Sequence, residues 1–147
     1  MCTLCIICWL SLQMCKIPGQ CGARNIYIES ADLKNLTSAN YPANYPTDLL
    51  CSWIVVSVER YRILVDVLYF ELERGYDFLI MGSGDNPSDI ASTIGRLTGT
   101  IKIRRFASVG DTMWIKFVSD RTGTTRGFDI NVSEKNVIGR VNFTRWI

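Results

Sequence analysis

The chain has 147 residues, 48% of them hydrophobic, a formal net charge of +2 and no histidine. A chain of this length can bury a core as one ordinary domain, and its interspersed charges lack the strongly basic balance that nucleic-acid binding demands. Without histidine there is no Ser-His-Asp or Cys-His set and no imidazole for zinc, which leaves carboxylate chemistry and hard cations held through oxygen.

Met1 to Cys15 is an apolar run too short to span a bilayer but suited to a signal-peptide core. No Lys or Arg precedes it, and no small-x-small site stands before Lys16-Ile17-Pro18-Gly19, so a misplaced start or a buried strand is the competing reading. Residues 1–19 are expected to be signal peptide and lead-in, 20–133 the folded domain, and 134–147 a tail without clear pattern. Removing the leader takes away Cys2, Cys5, Cys8 and Cys15 and leaves Cys21 and Cys51. In an oxidising compartment these two should bond, closing a loop worth roughly 3 to 4 kcal/mol; in a reducing one they are buried free thiols. The sequons at Asn35, Asn131 and Asn142 also point to secretion.

The first recognisable element is Tyr41-Pro42 followed by Tyr45-Pro46, where each proline fixes its own φ and drives the preceding tyrosine into extended backbone. Period-two alternation then predicts strands over Cys51–Val58, Tyr61–Phe70 and Phe78–Met81, the last ending at the turn-rich Gly82-Ser83-Gly84-Asp85-Asn86-Pro87. Gly99–Phe106 alternates Ile101 and Ile103 with polar residues and reads as a further strand. Met113, Ile115 and Phe117 define another, with Trp114 on its opposite face as a candidate exposed contact; Phe128, Ile130 and Val132 define the last, with Asn131 outward. Trp53 is expected in the core. Helical spacing is hard to find, so the expected fold is all-β: short antiparallel strands packed as two sheets, a β-sandwich.

Acidic residues cluster at strand exits. If Gly75 permits a tight turn, Glu73 and Asp77 on either side of it can converge, and Asp120, just past Phe117, would supply a third carboxylate. Three such groups repel one another unless a divalent hard ion joins them, and Ca²⁺ accepts carboxylate and carbonyl oxygens without strict geometry. The plain alternative is a hydrated acidic rim. Glu71 and Glu73 make a poor glycosidase pair, because alternation along an extended backbone places Glu71 apart from a substrate cleft. Lys102, Arg104 and Arg105 read as a solvated strand face, with contact to an acidic glycan as the competing reading.

Taken together, Cys21, Asn40-Tyr41-Pro42-Ala43-Asn44-Tyr45-Pro46, Cys51-Ser52-Trp53, Phe70-Glu71-Leu72-Glu73 with Tyr76-Asp77, and Phe117-Val118-Ser119-Asp120 with Gly127-Phe128 resemble the CUB domain of secreted and cell-surface proteins. The resemblance runs from Cys21 to about Val132. It implies a jelly-roll β-sandwich, a Cys21–Cys51 disulfide and a non-catalytic role. As in the calcium-binding members, it implies ligands from Glu73, Asp77 and Asp120, support of the acids by Tyr45, and backbone oxygen from the Thr122-Gly123 region. It further implies an extracellular protein partner whose basic group, such as a lysine ammonium, is accepted by the calcium-ordered acids. The competing functional readings are calcium-independent recognition of a glycan or surface through exposed aromatics, and a fragment of a larger CUB-containing protease or receptor. One departure is plain: Gly75 stands near the place where many members carry the first cysteine of a second disulfide, and no later cysteine follows.

Overall fold

A computed structural model describes residues 20–29 and 32–135. The expected signal peptide and lead-in (1–19), the tail from residue 136 onward and the Asn142 sequon lie outside the described residues.

Among the described residues nine strands form two sheets: β1 (Gln20–Ile28), β2 (Leu33–Thr37), β3 (Leu50–Ser57), β4 (Arg62–Glu71), β5 (Phe78–Ser83), β6 (Thr93–Leu97), β7 (Arg104–Ala107), β8 (Thr112–Val118) and β9 (Gly127–Lys135). One sheet has five strands in the order β1-β3-β8-β5-β6, and the other four in the order β2-β9-β4-β7. The β-sandwich expectation is met, and all pairs are antiparallel except one. β1 runs parallel to β3, with Tyr27 opposite Val56 and Ile28 opposite Ser57. The last strand continues two residues beyond 133, where alternation fades but ladder pairing with β4 persists as far as Arg62 and Lys135.

The core follows from strand alternation. Cys51, Trp53 and Val55 from β3 and Met113, Ile115 and Phe117 from β8 point inward from one sheet; Ile63, Val65 and Val67 from β4 and Phe128, Ile130 and Val132 from β9 meet them from the other. Aromatic rings lock the two layers edge to face: Trp53 on Phe128 at 6.5 Å and Phe117 on Phe128 at 5.3 Å between centroids. Cys21 and Cys51 are disulfide-bonded with Cα atoms 4.7 Å apart, tying the start of β1 to the start of β3.

Two sequence expectations fail, for identifiable reasons. Gly99–Phe106 is not one strand: Gly99 adopts φ +68°, Thr100 makes an isolated bridge to Glu71, and the strand begins only at Arg104. Ile103 is consequently 78% exposed, although its alternation promised burial. Trp114 is not an exposed contact; it is only 2% exposed, because the segment after β5 folds back over the outer face of its sheet and Ser92 Oγ accepts its indole N–H at 2.9 Å. Trp53 is buried, as expected.

The sequon residues Asn35 and Asn131 face each other across β2 and β9. The Asn35 amide donates to Asp129 Oδ1 at 2.6 Å and to Asn131 Oδ1 at 3.1 Å. Lys102, Arg104 and Arg105 divide: Arg105 pairs with Asp66, its Nε 2.6 Å from Oδ1, while Lys102 and Arg104 are exposed.

Candidate metal centre

The acidic residues meet at one end of the sandwich because three chain segments turn there. After β4 the chain closes a tight turn in which the Tyr76 and Asp77 amides donate to the Glu73 carbonyl at 3.3 and 3.1 Å. Gly75 takes φ +82°, a conformation that a side chain disfavours, and its amide is held by Thr98 Oγ1 at 2.8 Å. The turn that the sequence required is therefore present, with Glu73 and Asp77 at its ends.

The second segment is Tyr45-Pro46. It is held by the Tyr45 amide donating to the Thr125 carbonyl at 3.1 Å, and the Tyr45 ring packs edge-on against Phe117 at 5.2 Å. Tyr45 is buried, and its hydroxyl donates to Asp77 Oδ2 at 2.5 Å while accepting the Glu73 amide at 3.0 Å. The third segment leaves β8. There the Asp120 amide donates to Asp77 Oδ1 at 2.8 Å, and Asp120 Oδ1 accepts the Thr122 amide at 2.9 Å. Gly123, at φ +67°, packs so closely on the Glu73 carboxylate that any Cβ there would overlap it.

Glu73, Asp77 and Asp120 each present a carboxylate oxygen within 4.8 Å of the other two. Asp77 is completely buried, whereas Glu73 and Asp120 are half-buried. Burial, then the Asp120 and Asp77 charges, raise the Glu73 carboxyl above the usual carboxylate range. Burial and the hydrogen bond to Asp77 raise the Tyr45 hydroxyl, so it stays protonated as a donor. Among the described residues the ion pairs are Lys34–Asp32, Arg105–Asp66 and Arg121–Asp48, and none neutralises the cluster. Glu73 Oε2 is buried without a hydrogen-bond partner. Convergent, uncompensated oxygens of this kind are the donor set that hard divalent cations take.

Two supporting residues escaped the sequence reading. Ser119 Oγ accepts the Leu49 amide at 2.9 Å and donates to the Pro46 carbonyl at 3.0 Å. Thr125 Oγ1 donates to the Glu71 carbonyl at 2.5 Å and lies 3.4 Å from the Tyr45 hydroxyl. Small hydroxyl residues in loops carry little signal, because the carbonyls that they satisfy belong to distant segments.

Tyr45→Phe tests the hub of this network. The ring contact with Phe117 survives, but the Glu73 amide and a carboxylate oxygen of buried Asp77 each lose a partner. The expected loss is about 1 to 3 kcal/mol of stability, measured by urea denaturation; a variant as stable as the parent would show that water replaces the hydroxyl.

Residues 21–132 match the family model described as CUB domain. The chain is 32% identical to neuropilin-1 of Xenopus laevis over 132 residues, which covers 84% of this chain and 14% of that protein. In fold it is similar to the full extracellular region of zebrafish Gpr126/Adgrg6, with a TM-score of 0.65 and 24% identity over 77% of this chain and 15% of that one. It is also similar to the MASP-1 CUB2 domain bound to Ca²⁺, with a TM-score of 0.61 and 20% identity over 74% of this chain and 96% of that one. The chain thus spans a small part of the longer relative, and the motif residues, the two-sheet topology and the family match agree: it belongs to the CUB domain family.

Proposed function

We propose that this chain is an extracellular, non-catalytic protein-recognition module in which Ca²⁺, held by Glu73, Asp77 and Asp120, orders the loops that meet a partner. One observation carries the reading: Glu73 Oε2 is buried and unpartnered beside two further carboxylates. A bound ion would supply the positive charge that relieves their mutual repulsion. The MASP-1 CUB2 domain, described as bound to Ca²⁺, has the same fold and supports the assignment by likeness.

The chain's own residues define the roles. Asp77 is fixed by Tyr45 and by the Asp120 amide, so its carboxylate needs no reorganisation. Glu73 and Asp120 are only half-buried, so a lysine or arginine of a partner protein can be accepted beside them with little buried area. Thr122 and Gly123 border the cluster, and the Thr122-Gly123 region is assigned the backbone oxygen. The Cys21–Cys51 bond agrees with an oxidising compartment.

Calorimetric titration of Ca²⁺ tests the proposal. Extracellular modules bind with a dissociation constant of about 0.1 to 1 mM, and Asp120→Ala is expected to weaken this at least about tenfold. The substitution retains the backbone amide that donates to Asp77, so the fold should persist. Unchanged calcium affinity in this variant would sink the assignment.

A further inference from the structure

The outer face of the five-stranded sheet carries a second surface, of opposite chemistry. Lys116 on β8 stands opposite Ile80 on β5, which in turn stands opposite Arg96 on β6. In the adjacent row Trp114 stands opposite Gly82, and a Cβ at Gly82 would overlap the indole, so the glycine makes room for it. The 3-10 turn Ile90–Ser92 follows, capped by Asp89 Oδ1 accepting the Ala91 amide at 3.1 Å. Between them lies a groove of about 490 Å³ whose apolar lining includes Ile80, Pro87, Ile90 and Trp114 and whose charged groups are Arg96 and Lys116.

Three features distinguish this groove from ordinary solvated surface. Ile90 at its lip is 85% exposed, an aliphatic side chain left in water beside other apolar groups. The Arg96 guanidinium is held 3.6 Å from the centroid of the Phe78 ring, a cation–π contact that orients it over the sheet. The ion pairs among the described residues lie elsewhere, and neither Arg96 nor Lys116 takes part in one. Charge alone would suit any anion, but the apolar lining rewards only a ligand that carries apolar surface next to its charge.

We propose that this groove docks a segment of a partner protein in which a carboxylate side chain stands next to an aliphatic one. The carboxylate meets Arg96 and Lys116, with the guanidinium able to form a two-point contact. The aliphatic group covers Ile80 and Ile90, beside the buried Trp114. Arginine at a concave site is among the residue types that most often dominate interface energetics. The proposal is independent of the acidic centre, which attracts cations.

The test follows the Trp114 indole N–H signal of the isotope-labelled full chain by NMR, in EDTA so that the acidic centre is metal-free. Probes are the peptides Ac-Ile-Glu-Leu-NH2 and Ac-Ile-Gln-Leu-NH2, and inorganic phosphate. A saturable shift with the glutamate peptide is expected, at least about tenfold weaker with the glutamine peptide and in the R96Q/K116Q variant, which alters only solvent-accessible side chains. Equal binding of the two peptides overturns the proposal, as does phosphate matching the glutamate peptide, a variant that binds as well as the parent, or a silent Trp114 signal up to millimolar peptide. A shift that grows with protein concentration alone would assign the groove to a second copy of the chain, and overturns it too.

Discussion

Asp77→Ala is expected to lower calcium affinity at least about 100-fold, a loss of about 2.7 kcal/mol, and to abolish the calcium-dependent rise in melting temperature. Asp77 is the one completely buried member of the cluster, and both of its oxygens are engaged, Oδ2 by the Tyr45 hydroxyl and Oδ1 by the Asp120 amide. Its removal therefore takes away a ligand charge and leaves two interior donors without acceptors. Charge and hydrogen bonding can be separated. Asp77→Asn keeps a carbonyl acceptor but not the charge, so it should bind calcium poorly while remaining closer to the parent in stability in EDTA. Melting curves with and without free calcium read both quantities, because a ligand that binds only the folded state raises its stability with concentration. Calcium affinity of Asp77→Ala within threefold of the parent would remove Asp77 from the site.

The second large effect is expected from Cys21→Ala combined with Cys51→Ala. The bond joins residues separated by 30 positions, and in the chain-entropy model such a loop contributes about 3.5 kcal/mol. Cys51 is buried in the core, so its truncation adds a small cavity. The location of the bond matters as much as its energy. Among the described residues β1 is an edge strand with β3 as its only sheet neighbour, and of its described side chains Ile28 alone is fully buried. Without the covalent tie, amide exchange should rise first in β1 and only then in β3 and β8. Equilibrium denaturation gives the magnitude and hydrogen exchange the order; uniform loosening of the sandwich would show that β1 is held by the ladder alone.

The legibility of this protein differs from element to element. β3, β4, β5, β8 and β9 were readable because each is a run in which every second residue is buried, and alternation is a local property of an extended backbone. β1 and β2 were not. Their residues from Ala23 to Asn25 and Leu33 to Asn35 are exposed, so little apolar period is written into them, and their pairing is specified by β3 and β9. Ile101 and Ile103 show the converse error. Alternation there is genuine, but the left-handed Gly99 redirects the chain and no partner strand is available before Arg104. Trp114 lies on the outer face, as its parity required; a distant segment covers it, and no period reports that.

By itself, then, the sequence determined the all-β class, the inward faces of five strands, the cysteine pair and the oxygen-only character of any metal chemistry, all of which rest on residue type or nearest-neighbour spacing. Only the tertiary structure decided that Glu73, Asp77 and Asp120 bring oxygens within 4.8 Å of one another, that the Tyr45 hydroxyl lies between the Glu73 amide and the Asp77 carboxylate, and that Arg96 and Lys116 flank an apolar groove. The reason is physical: side-chain parity is set within a strand, whereas convergence of groups from separate segments depends on strand order, register and loop closure, which the whole core fixes together.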